Sequence, residues 1–423
     1  MDIKKIFLTG LFFAMALVGY AQEQEPSGDV YTYNENLNEY TIHSAAGLRE
    51  LNNIWSDVPE GASLVFEQGV EYNLEGNWIS NIELSGDVIG NGATIKFKSE
   101  DLEQKGEDSQ GDVYVPATGL FKSIQAEMGS GITIEGLTIN AVININNENA
   151  SIGLLVGELD LSESGISIKS VNVKGTIEPF GENTIAGGLL GYVSADDYAS
   201  LTIQDCKSEV EIKGAFQAGG LIGSIYGGTT KIKNCISEGA ISSISVAGGL
   251  VGSYSYEAPA EETQINKLDI SCCANAGRLF VNPTKDKEME NIHMGGLVGD
   301  YYSDEDYYED ERDEDFGLII DRCCNTGGLE YTNNTGESIL ACIGSLVGRD
   351  QNASLYLNLT NSFVCYDRNS LSNPYPFVFG RDNEYYETVY DNSEGSFRPE
   401  NTTFVVESQE DFKKMVLAVS AYN

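Results

Sequence analysis

The segment Gly219-Gly220-Leu221-Ile222-Gly223 is the clearest copy of a short motif that recurs six times in this chain. Its core is a leucine and a second apolar residue enclosed by glycines. The remaining copies close at Gly157, Gly191, Gly252, Gly299 and Gly348. A motif that returns after roughly 30 residues, with insertions, is typical of stacked repeats in which each unit buries its apolar face against its neighbours.

Each repeat unit contains three short strand-like pieces separated by polar or glycine-rich corners. In the clearest unit these pieces are Gly219–Tyr226, Thr230–Cys235 and Ala240–Ser245. No helical periodicity lies between them, which excludes the leucine-rich, ankyrin and tetratricopeptide repeats. The sequence therefore predicts an all-β fold, a right-handed parallel β-helix with three strands per coil.

The motif leucines are expected to stack in one inward column. They are Leu189, Leu221, Leu250, Leu297 and Leu346. The glycines around them suit corners that need a positive φ or close contact between coils. Weaker repeats continue upstream, so we expect the β-helix to cover residues 61–400 in about ten coils, a rod of about 45–50 Å.

Both ends of such a rod expose unpaired strand edges, and two segments have the pattern of helices that cover them. In residues 40–60, Leu48, Leu51 and Trp55 lie at helical spacing behind Ser44, a good N-cap. In residues 401–423 a short helix is predicted to begin at Ser408. Residues 22–39 are acidic and polar, and we expect no fixed structure there.

Residues 1–21 have the pattern of a secretory signal peptide. Lys4 and Lys5 precede the apolar run from Ile6 to Val18, and small residues place the cleavage site after Ala21. The run is short for a membrane span, and no later segment is long and apolar enough to hold the mature chain in a bilayer. We expect a protein that is secreted or displayed on the surface of a Gram-negative bacterium, with the periplasm as the alternative.

The chain is strongly acidic. It has 65 acidic and 25 basic residues, a formal net charge of −40. Such a surface repels nucleic acid, anionic lipid and acidic polysaccharides. We therefore expect no nucleic acid partner and no integral membrane span in the mature chain, and we expect a monomer.

Four of the eight cysteines fall at one position of the unit, namely Cys206, Cys235, Cys273 and Cys323. Stacking would separate neighbouring Cα atoms by about 4.8 Å, which permits a disulfide. Parallel side chains, however, hold Cβ atoms further apart than the roughly 3.8 Å that disulfides prefer. Buried thiols at a small inward position are the better interpretation.

The Gly-Gly-Leu-x-Gly units, each followed by a strand that ends near Asn-Cys as at Asn234-Cys235, resemble the GLUG-motif proteins of exported bacterial surface proteins. The resemblance covers roughly residues 40 to 365, where Tyr40–Leu51 and Gly90–Ile95 look like the usual opening of such a helix. It implies a β-helical fold. In that family the motif occurs in adhesins and beside the catalytic domain of some immunoglobulin A peptidases, so it implies no single function.

Catalytic residues are not assigned, because the sequence has only two histidines, His43 and His293. Neither lies in a His-Glu-x-x-His motif, and the same shortage argues against a serine or cysteine triad. A glycoside hydrolase needs only two positioned carboxylates, which a sequence this acidic cannot single out. A lyase acting on uronates is disfavoured, since basic residues are scarce.

Tyrosines and acids follow the closing glycines of successive units. These tyrosines are Tyr192, Tyr198, Tyr226, Tyr254, Tyr256, Tyr301 and Tyr302. Because they are in phase with the repeat, we expect them to line one edge of the prism. Aromatic rings beside hydrogen-bond acceptors suit sugar faces and protein patches alike. The alternative is that some of the rings pack under their own loops.

The run from Asp304 to Asp315 is the most acidic stretch of the chain. Calcium takes oxygen ligands, and Asp304, Asp306 and Asp310 are its candidate ligands here. Glu309 stands where an EF-hand loop requires glycine, so that motif does not fit. A solvated acidic insertion is the alternative interpretation.

Three functions stay open at this point. The first is an exported, non-catalytic and adhesin-like protein that binds a glycan or a host or partner protein through an edge of the β-helix. The second is a polysaccharide-degrading enzyme, a hydrolase or lyase, on the same scaffold. The third is a passive structural spacer.

Overall fold

The computed structural model describes residues 29–100, 106–107, 113–114, 118–126, 129–145, 149–162, 164–179, 183–196, 198–256, 266–284, 291–303, 317–332, 340–351, 358–360 and 363–364. The signal peptide, the C-terminal helix and the acidic run that were predicted above lie outside these residues. Within them the protein is mostly β-structure with one α-helix, α1 (Ala45–Asn53), and a short 3-10 helix at Trp55–Asp57.

The N-terminal part of the fold contains ten strands and α1. The strands are β1 (Tyr31–Asn34), β2 (Glu39–Ile42), β3 (Ser63–Phe66), β4 (Glu71–Asn77), β5 (Glu83–Leu84), β6 (Val88–Glu100), β7 (Gly106–Glu107), β8 (Val113–Tyr114), β9 (Phe121–Gln125) and β10 (Gly131–Ile145). Buried and less buried side chains alternate along β3 and along most of β10.

The regular repeats follow. Their first strands are β11 (Ser151–Gly153), β12 (Val156–Leu161), β13 (Gly165–Lys169), β14 (Asn172–Pro179), β15 (Ile185–Gly187), β16 (Leu190–Ala195), β17 (Ser200–Gln204), β18 (Lys207–Gly219), β19 (Ile222–Tyr226), β20 (Thr229–Lys233), β21 (Ile236–Ser237) and β22 (Ile241–Gly248).

The last described strands continue the same order. They are β23 (Val251–Tyr256), β24 (Lys267–Ser271), β25 (Ala274–Asn275), β26 (Leu279–Val281), β27 (Asn291–Gly295), β28 (Val298–Ser303), β29 (Gly317–Asp321), β30 (Cys324–Asn325), β31 (Leu329–Tyr331), β32 (Leu340–Gly344), β33 (Val347–Gln351), β34 (Asn358–Thr360) and β35 (Phe363–Val364).

Nearly all strand pairs in the described part of the chain are parallel and join equivalent positions of successive units. Ile203 lies beside Ile232, and Ile232 beside Ile270. One sheet has 25 strands, and a second has eight, in the order β5, β9, β12, β16, β19, β23, β28, β33. Long parallel sheets with this register are compatible with the predicted parallel β-helix.

The N-terminal end departs from one expectation. Residues 22–39 were predicted to lack fixed structure, but β1 pairs antiparallel with β2. The rings of Tyr31 and Tyr33 pack on Tyr40, with the centroids of Tyr33 and Tyr40 4.5 Å apart. This aromatic contact buries apolar surface, which the acidic and polar composition of residues 22–39 did not indicate.

Helix α1 lies next to this hairpin. It begins after Ser44, whose Oγ accepts a hydrogen bond from the N–H of Gly47, as its N-cap pattern predicted. Leu48 and Leu51 are fully buried beneath it. Trp55 is only partly buried, and its indole N–H donates to the carbonyl oxygen of Glu83.

The motif leucines form the predicted inward column. All five are buried, and the N–H of each of the first four donates to the carbonyl of the leucine one unit further along, at 2.8–2.9 Å. Complete burial of one leucine side chain contributes about 1.5–3 kcal/mol to stability. The column is therefore a main source of cohesion between units.

The motif glycines are required for close approach and not for a positive φ. None of the glycines of the regular motifs has a positive φ. A Cβ atom on Gly220 would overlap the carbonyl oxygen of Gly249 and Oγ of Ser237, and one on Gly223 would overlap the backbone of Ala186. Of the two reasons the sequence allowed for these glycines, close contact is the correct one.

The predicted thiol column is also present. Cys206, Cys235, Cys273 and Cys323 are buried, and no disulfide joins any two of the seven described cysteines. The sulfurs of Cys235, Cys273 and Cys323 each accept a hydrogen bond from the N–H of the preceding cysteine in the column, at 3.3–3.4 Å. Burial, followed by contact with neighbouring thiols, raises the pKa of Cys235 and Cys323 well above the usual value.

The residue before each column cysteine turns a corner in the left-handed region. Asp205 and Asn234 have φ of 55° and 56°, while Cys272 and Arg322 have 55° and 52°. Asparagine and aspartate tolerate this conformation, but for other L-residues it costs roughly 1–2 kcal/mol. Cys272 therefore lies at a corner of its unit, directly before the column cysteine Cys273.

The close contact at Gly220 gives a direct test. We expect Gly220→Ala to lower the free energy of unfolding by at least about 2 kcal/mol, because the added methyl overlaps backbone that cannot rotate away. Urea unfolding followed by circular dichroism measures the change. The control is Gly131→Ala, where the added Cβ would lie 3.4 Å from the carbonyl oxygen of Gly165. Equal effects of the two substitutions would show that close approach is not the constraint.

The left-handed corner gives a second test. Cys272→Asn should raise the free energy of unfolding by about 0.5–1 kcal/mol, since asparagine relieves the backbone strain. Cys272→Ser, which removes the thiol but keeps an ordinary L-residue, is the matched control. If the two variants are equally stable in reducing urea titrations, strain at this corner does not matter.

Candidate functional site

Three of the seven predicted binding tyrosines lie in the core and cannot line an exposed edge. Tyr254 and Tyr301 are 0% exposed and Tyr256 is 2% exposed. The rings of Tyr254 and Tyr301 stack 5.3 Å apart at 5°, and the hydroxyl of Tyr254 donates to the carbonyl of Gly228 at 2.7 Å. For these three residues the prediction of a binding ridge is wrong, and the alternative of packing is right.

The reason is the two-residue period of a strand. Residues two and four positions after a closing glycine share the face of Val193, Ile225, Tyr254 and Tyr301, which are paired in register and buried. Residues one and three positions after it lie on the opposite face, where Tyr226 is exposed but Ser224, Ser253 and Asp300 are buried. The sequence placed the tyrosines at the correct positions of the repeat. It was not used to ask which face of the strand each tyrosine occupies.

The other four predicted tyrosines lie on the outer side. Tyr192 and Tyr302 are half-buried, whereas Tyr198 is 52% and Tyr226 37% exposed. Tyr226 and Tyr302 belong to one outward column of the eight-stranded sheet, with Ser255 between them. Tyr302 lies under the guanidinium of Arg349, 5.4 Å from its ring centroid.

Two carboxylates on β12 lie on the same outward face as Tyr192 and Tyr226. We call this surface the tyrosine–carboxylate edge, and it consists of Glu158, Asp160, Tyr192, Ser194, Tyr198 and Tyr226. Glu158 lies beside Tyr192 in register, and Asp160 lies beside Ser194, which lies beside Tyr226. The turn at Gly227-Gly228 packs against Ala195 and Ala199, so the turns that carry Tyr226 and Tyr198 touch.

The electrostatics of this edge reflect its crowding. Partial burial, followed by repulsion from Asp160, raises the pKa of the Glu158 carboxyl. Partial burial and then the nearby Glu158 raise the pKa of Tyr192, against a hydrogen bond with Ser194 that lowers it. The edge thus combines two acceptor carboxylates, hydroxyl groups and exposed rings, a set that can bind hydroxylated or basic ligands.

A second polar cluster lies further along the same sheet and was missed by sequence reasoning. Arg349 donates from Nε and Nη2 to the two oxygens of Asp300, at 2.6 and 2.7 Å. Nδ1 of His293 is 3.4 Å from Oδ2 of the same carboxylate. Asp300 and His293 are buried, and we call the three residues the Asp300 cluster.

Register explains how the cluster forms. His293 pairs with Val246 and Cys342, so it occupies one column of the repeat. Asp300 lies one position after its closing glycine, in a column with Ser253 and Arg349. Aligning units on their closing glycines would have found the pair Asp300 and Arg349.

Burial by itself would raise the pKa of Asp300. The charge and hydrogen bond of His293, together with those of Arg349, outweigh burial and lower the pKa of Asp300 to about 2. The carboxylate therefore stays ionised in a dehydrated position. Arg349 and His293 are its two partners, and the cluster therefore links the units that carry β28 and β33.

The calcium prediction concerns Asp304, Asp306 and Asp310, which lie outside the described residues. Within the described part of the chain, no group of three or more His, Cys, Asp or Glu residues could hold a metal ion. Nor does that part contain a helix with the length and hydropathy needed to cross a membrane.

Comparisons with known proteins add little. No family model and no curated protein matches this chain. One similar solved structure is described as "a putative immunoglobulin A1 protease from Bacteroides ovatus", with a TM-score of 0.45 and 16% identity over 77% of this chain and 84% of that chain. A similarity this low says nothing of what this chain does.

The Asp300 cluster predicts acid sensitivity. The folded pKa of about 2 lies below the unfolded value of about 3.9, so ionised Asp300 stabilises the fold above pH 4, by about 2 kcal/mol. This stabilisation is lost as the pH falls from about 4 to about 2. Asp300→Asn should lower the free energy of unfolding at pH 7 by about 3 kcal/mol, because Arg349 loses its charged partner. It should also flatten the loss of stability between about pH 4 and about pH 2.

Urea titrations at several pH values measure both effects. Glu60→Gln, at an exposed carboxylate, is the control and should follow the parent chain. Parent-like stability of Asp300→Asn at pH 7 would contradict the role of the cluster.

Proposed function

We propose that the protein is an exported, non-catalytic surface protein that binds a glycan or a partner protein through the tyrosine–carboxylate edge. The observation that carries this proposal is that Tyr226 is exposed on the outward face that carries Glu158 and Asp160, one strand beyond Ser194, with the exposed Tyr198 on the neighbouring turn. An exposed ring can lie against the C–H face of a sugar or an apolar side chain, while carboxylates accept hydrogen bonds from hydroxyl groups.

The scaffold that we propose is a right-handed parallel β-helix with three strands per coil, about ten coils and GLUG-type repeats. The pairing of equivalent residues from unit to unit and the single inward leucine column support it. A rod of this kind presents outward columns at a constant spacing. One ligand could therefore contact several units at once.

Export is part of the same proposal. The signal peptide that ends at Ala21 supports secretion or display at a Gram-negative surface, with the periplasm as the alternative. Buried thiols at the column positions are compatible with either place, because no disulfide joins them and their packing needs none. Calcium bound by the acidic run stays a separate proposal.

Glu158 and Asp160 also favour a second candidate, a polysaccharide-degrading enzyme. Two residues apart on one strand, their Cα atoms are about 6.6 Å apart and both side chains face outward. Paired carboxylates on one face, one with a raised pKa, are what a glycoside hydrolase requires. We favour binding, since Tyr198 and Tyr226 are exposed and can lie against a ligand.

The test is a glycan array combined with a panel of extracellular proteins, probed with the parent chain and with Tyr198→Ala/Tyr226→Ala. We expect the double variant to lose at least about tenfold in affinity for any ligand found, about 1.4 kcal/mol. Leu37→Ala, at an apolar residue that is 64% exposed in the β1–β2 turn, is the control.

The outcome separates the candidates. If the parent chain forms products from a glycan and Glu158→Gln does not, the function is catalysis and not binding. Full binding by the double tyrosine variant would refute the edge, and the absence of any ligand would leave the passive spacer as the better account.

A further inference from the structure

An open groove of about 580 Å³ lies on the 25-stranded sheet, away from the tyrosine–carboxylate edge. Residues of β4, β6 and β10 line it. Its volume falls within the range of about 300–1,000 Å³ that is usual for small-ligand sites. A smaller groove of about 240 Å³ near Phe280 lies on the same sheet and falls below that range.

One wall of the groove is a bulge in β4. The register between β4 and β6 shifts between Asn73 and Asn77, and Gly76 in the bulge has a φ of 75°. Bulges are common beside binding sites because they lift side chains out of the sheet. Here the bulge raises the chain at Glu75 and Gly76 beside an otherwise regular sheet face.

This wall is held in place before any ligand arrives. Arg49 of α1 donates a hydrogen bond to the carbonyl oxygen of Glu75 and lies 5.7 Å from the ring centroid of Trp78. The amide of Asn77 exchanges two hydrogen bonds with the backbone of Glu100, at 2.7 and 2.8 Å. A preformed wall reduces the entropy that binding would otherwise cost.

The floor and rim differ in chemistry. Val142 forms part of the floor and is 39% exposed, one of the few large apolar residues of the described chain that face solvent. Above it, Asn73, Lys96 and Asn140 follow one another in register across three strands. A small apolar floor beneath a row of amide and ammonium groups suits a ligand with one C–H face and several hydroxyl groups.

The backbone cannot recognise a ligand here. β6 pairs with β4 on one side and with β10 on the other, and β10 pairs in turn with β14. A peptide therefore finds no free strand edge at β6 or β10, while β4, which among the described strands pairs only with β6, is contacted by α1. Recognition must come from side chains, which favours a ligand rich in hydroxyl groups over an extended peptide.

The charges in and around the groove restrict the class of ligand further. Lys96 is paired with Glu71 at 2.8 Å, and the groove also contains Lys98, Glu75 and Glu100. These charges nearly balance locally, and the rest of the chain is strongly acidic. A polyanion would be repelled at long range, and the single excess carboxylate among these five side chains does not by itself make a cation site.

We propose that this groove binds a short stretch of neutral oligosaccharide. One pyranose face lies on Val142, and the amides of Asn73 and Asn140 bind its hydroxyl groups. This site goes beyond the proposed edge and does not depend on it, since it lies on a different sheet.

The experiment is isothermal titration of the full chain with four neutral hexasaccharides, namely maltohexaose, cellohexaose, xylohexaose and mannohexaose. At least one should bind saturably at millimolar concentration or below. Val142→Glu should weaken that binding at least about tenfold by placing a charge against the sugar face, and Asn140→Ala should weaken it several-fold.

Leu37→Glu makes the same kind of change at an exposed apolar residue outside the groove and should bind like the parent. Asn140→Ala removes only an exposed amide, so it keeps the test decisive if Val142→Glu fails to fold by circular dichroism. The Tyr198→Ala/Tyr226→Ala variant should bind the hexasaccharide normally, even if it loses the ligand of the edge.

Three results would overturn the inference. They are the absence of saturable binding for all four sugars, parent-like binding by both groove variants, and loss of the binding in the double tyrosine variant alone. The last result would assign the sugar to the edge, and the first would leave the proposed edge untouched.

Discussion

Contact of backbone against backbone at the glycine–leucine motif is the constraint on which the rest of the structure depends. Without a Cβ at Gly220 or Gly223, successive units approach closely enough for the leucine amides to bond from unit to unit. The space left by the second glycine is filled from the opposite side by Ser237, and by Asn275 at Gly249. Asn275 then donates to Asn325 at 2.9 Å, so the same close approach creates a buried polar ladder.

The repeat period was enough to predict the columns, because a column requires only that equivalent residues stack. Leu221 and Cys235 were placed correctly on that ground alone. Which side of a strand faces solvent depends on parity, and this decided the fate of the tyrosines. Tyr226 lies three residues after its closing glycine and is exposed, whereas Tyr254 lies two residues after its own and is in the core.

Features that depend on chain geometry between repeats could not be predicted in the same way. The groove exists because β4 bulges at Gly76 and because Arg49, in a separate helix, holds the bulge. No repeat contains that combination. The Asp300 cluster could be predicted in part. The column that contains Asp300 and Arg349 follows from the motif, but the approach of His293 to Asp300 depends on how two strands fold onto each other.

The thiol column has a consequence for how the opening of the molecule can be observed. Cys206, Cys235, Cys273 and Cys323 lie at four successive levels and are at most 2% exposed. An alkylating reagent can reach each sulfur only after its own level has separated from its neighbours. The labelling rates, resolved by peptide mass spectrometry, would therefore report the local opening free energy level by level, without any introduced probe.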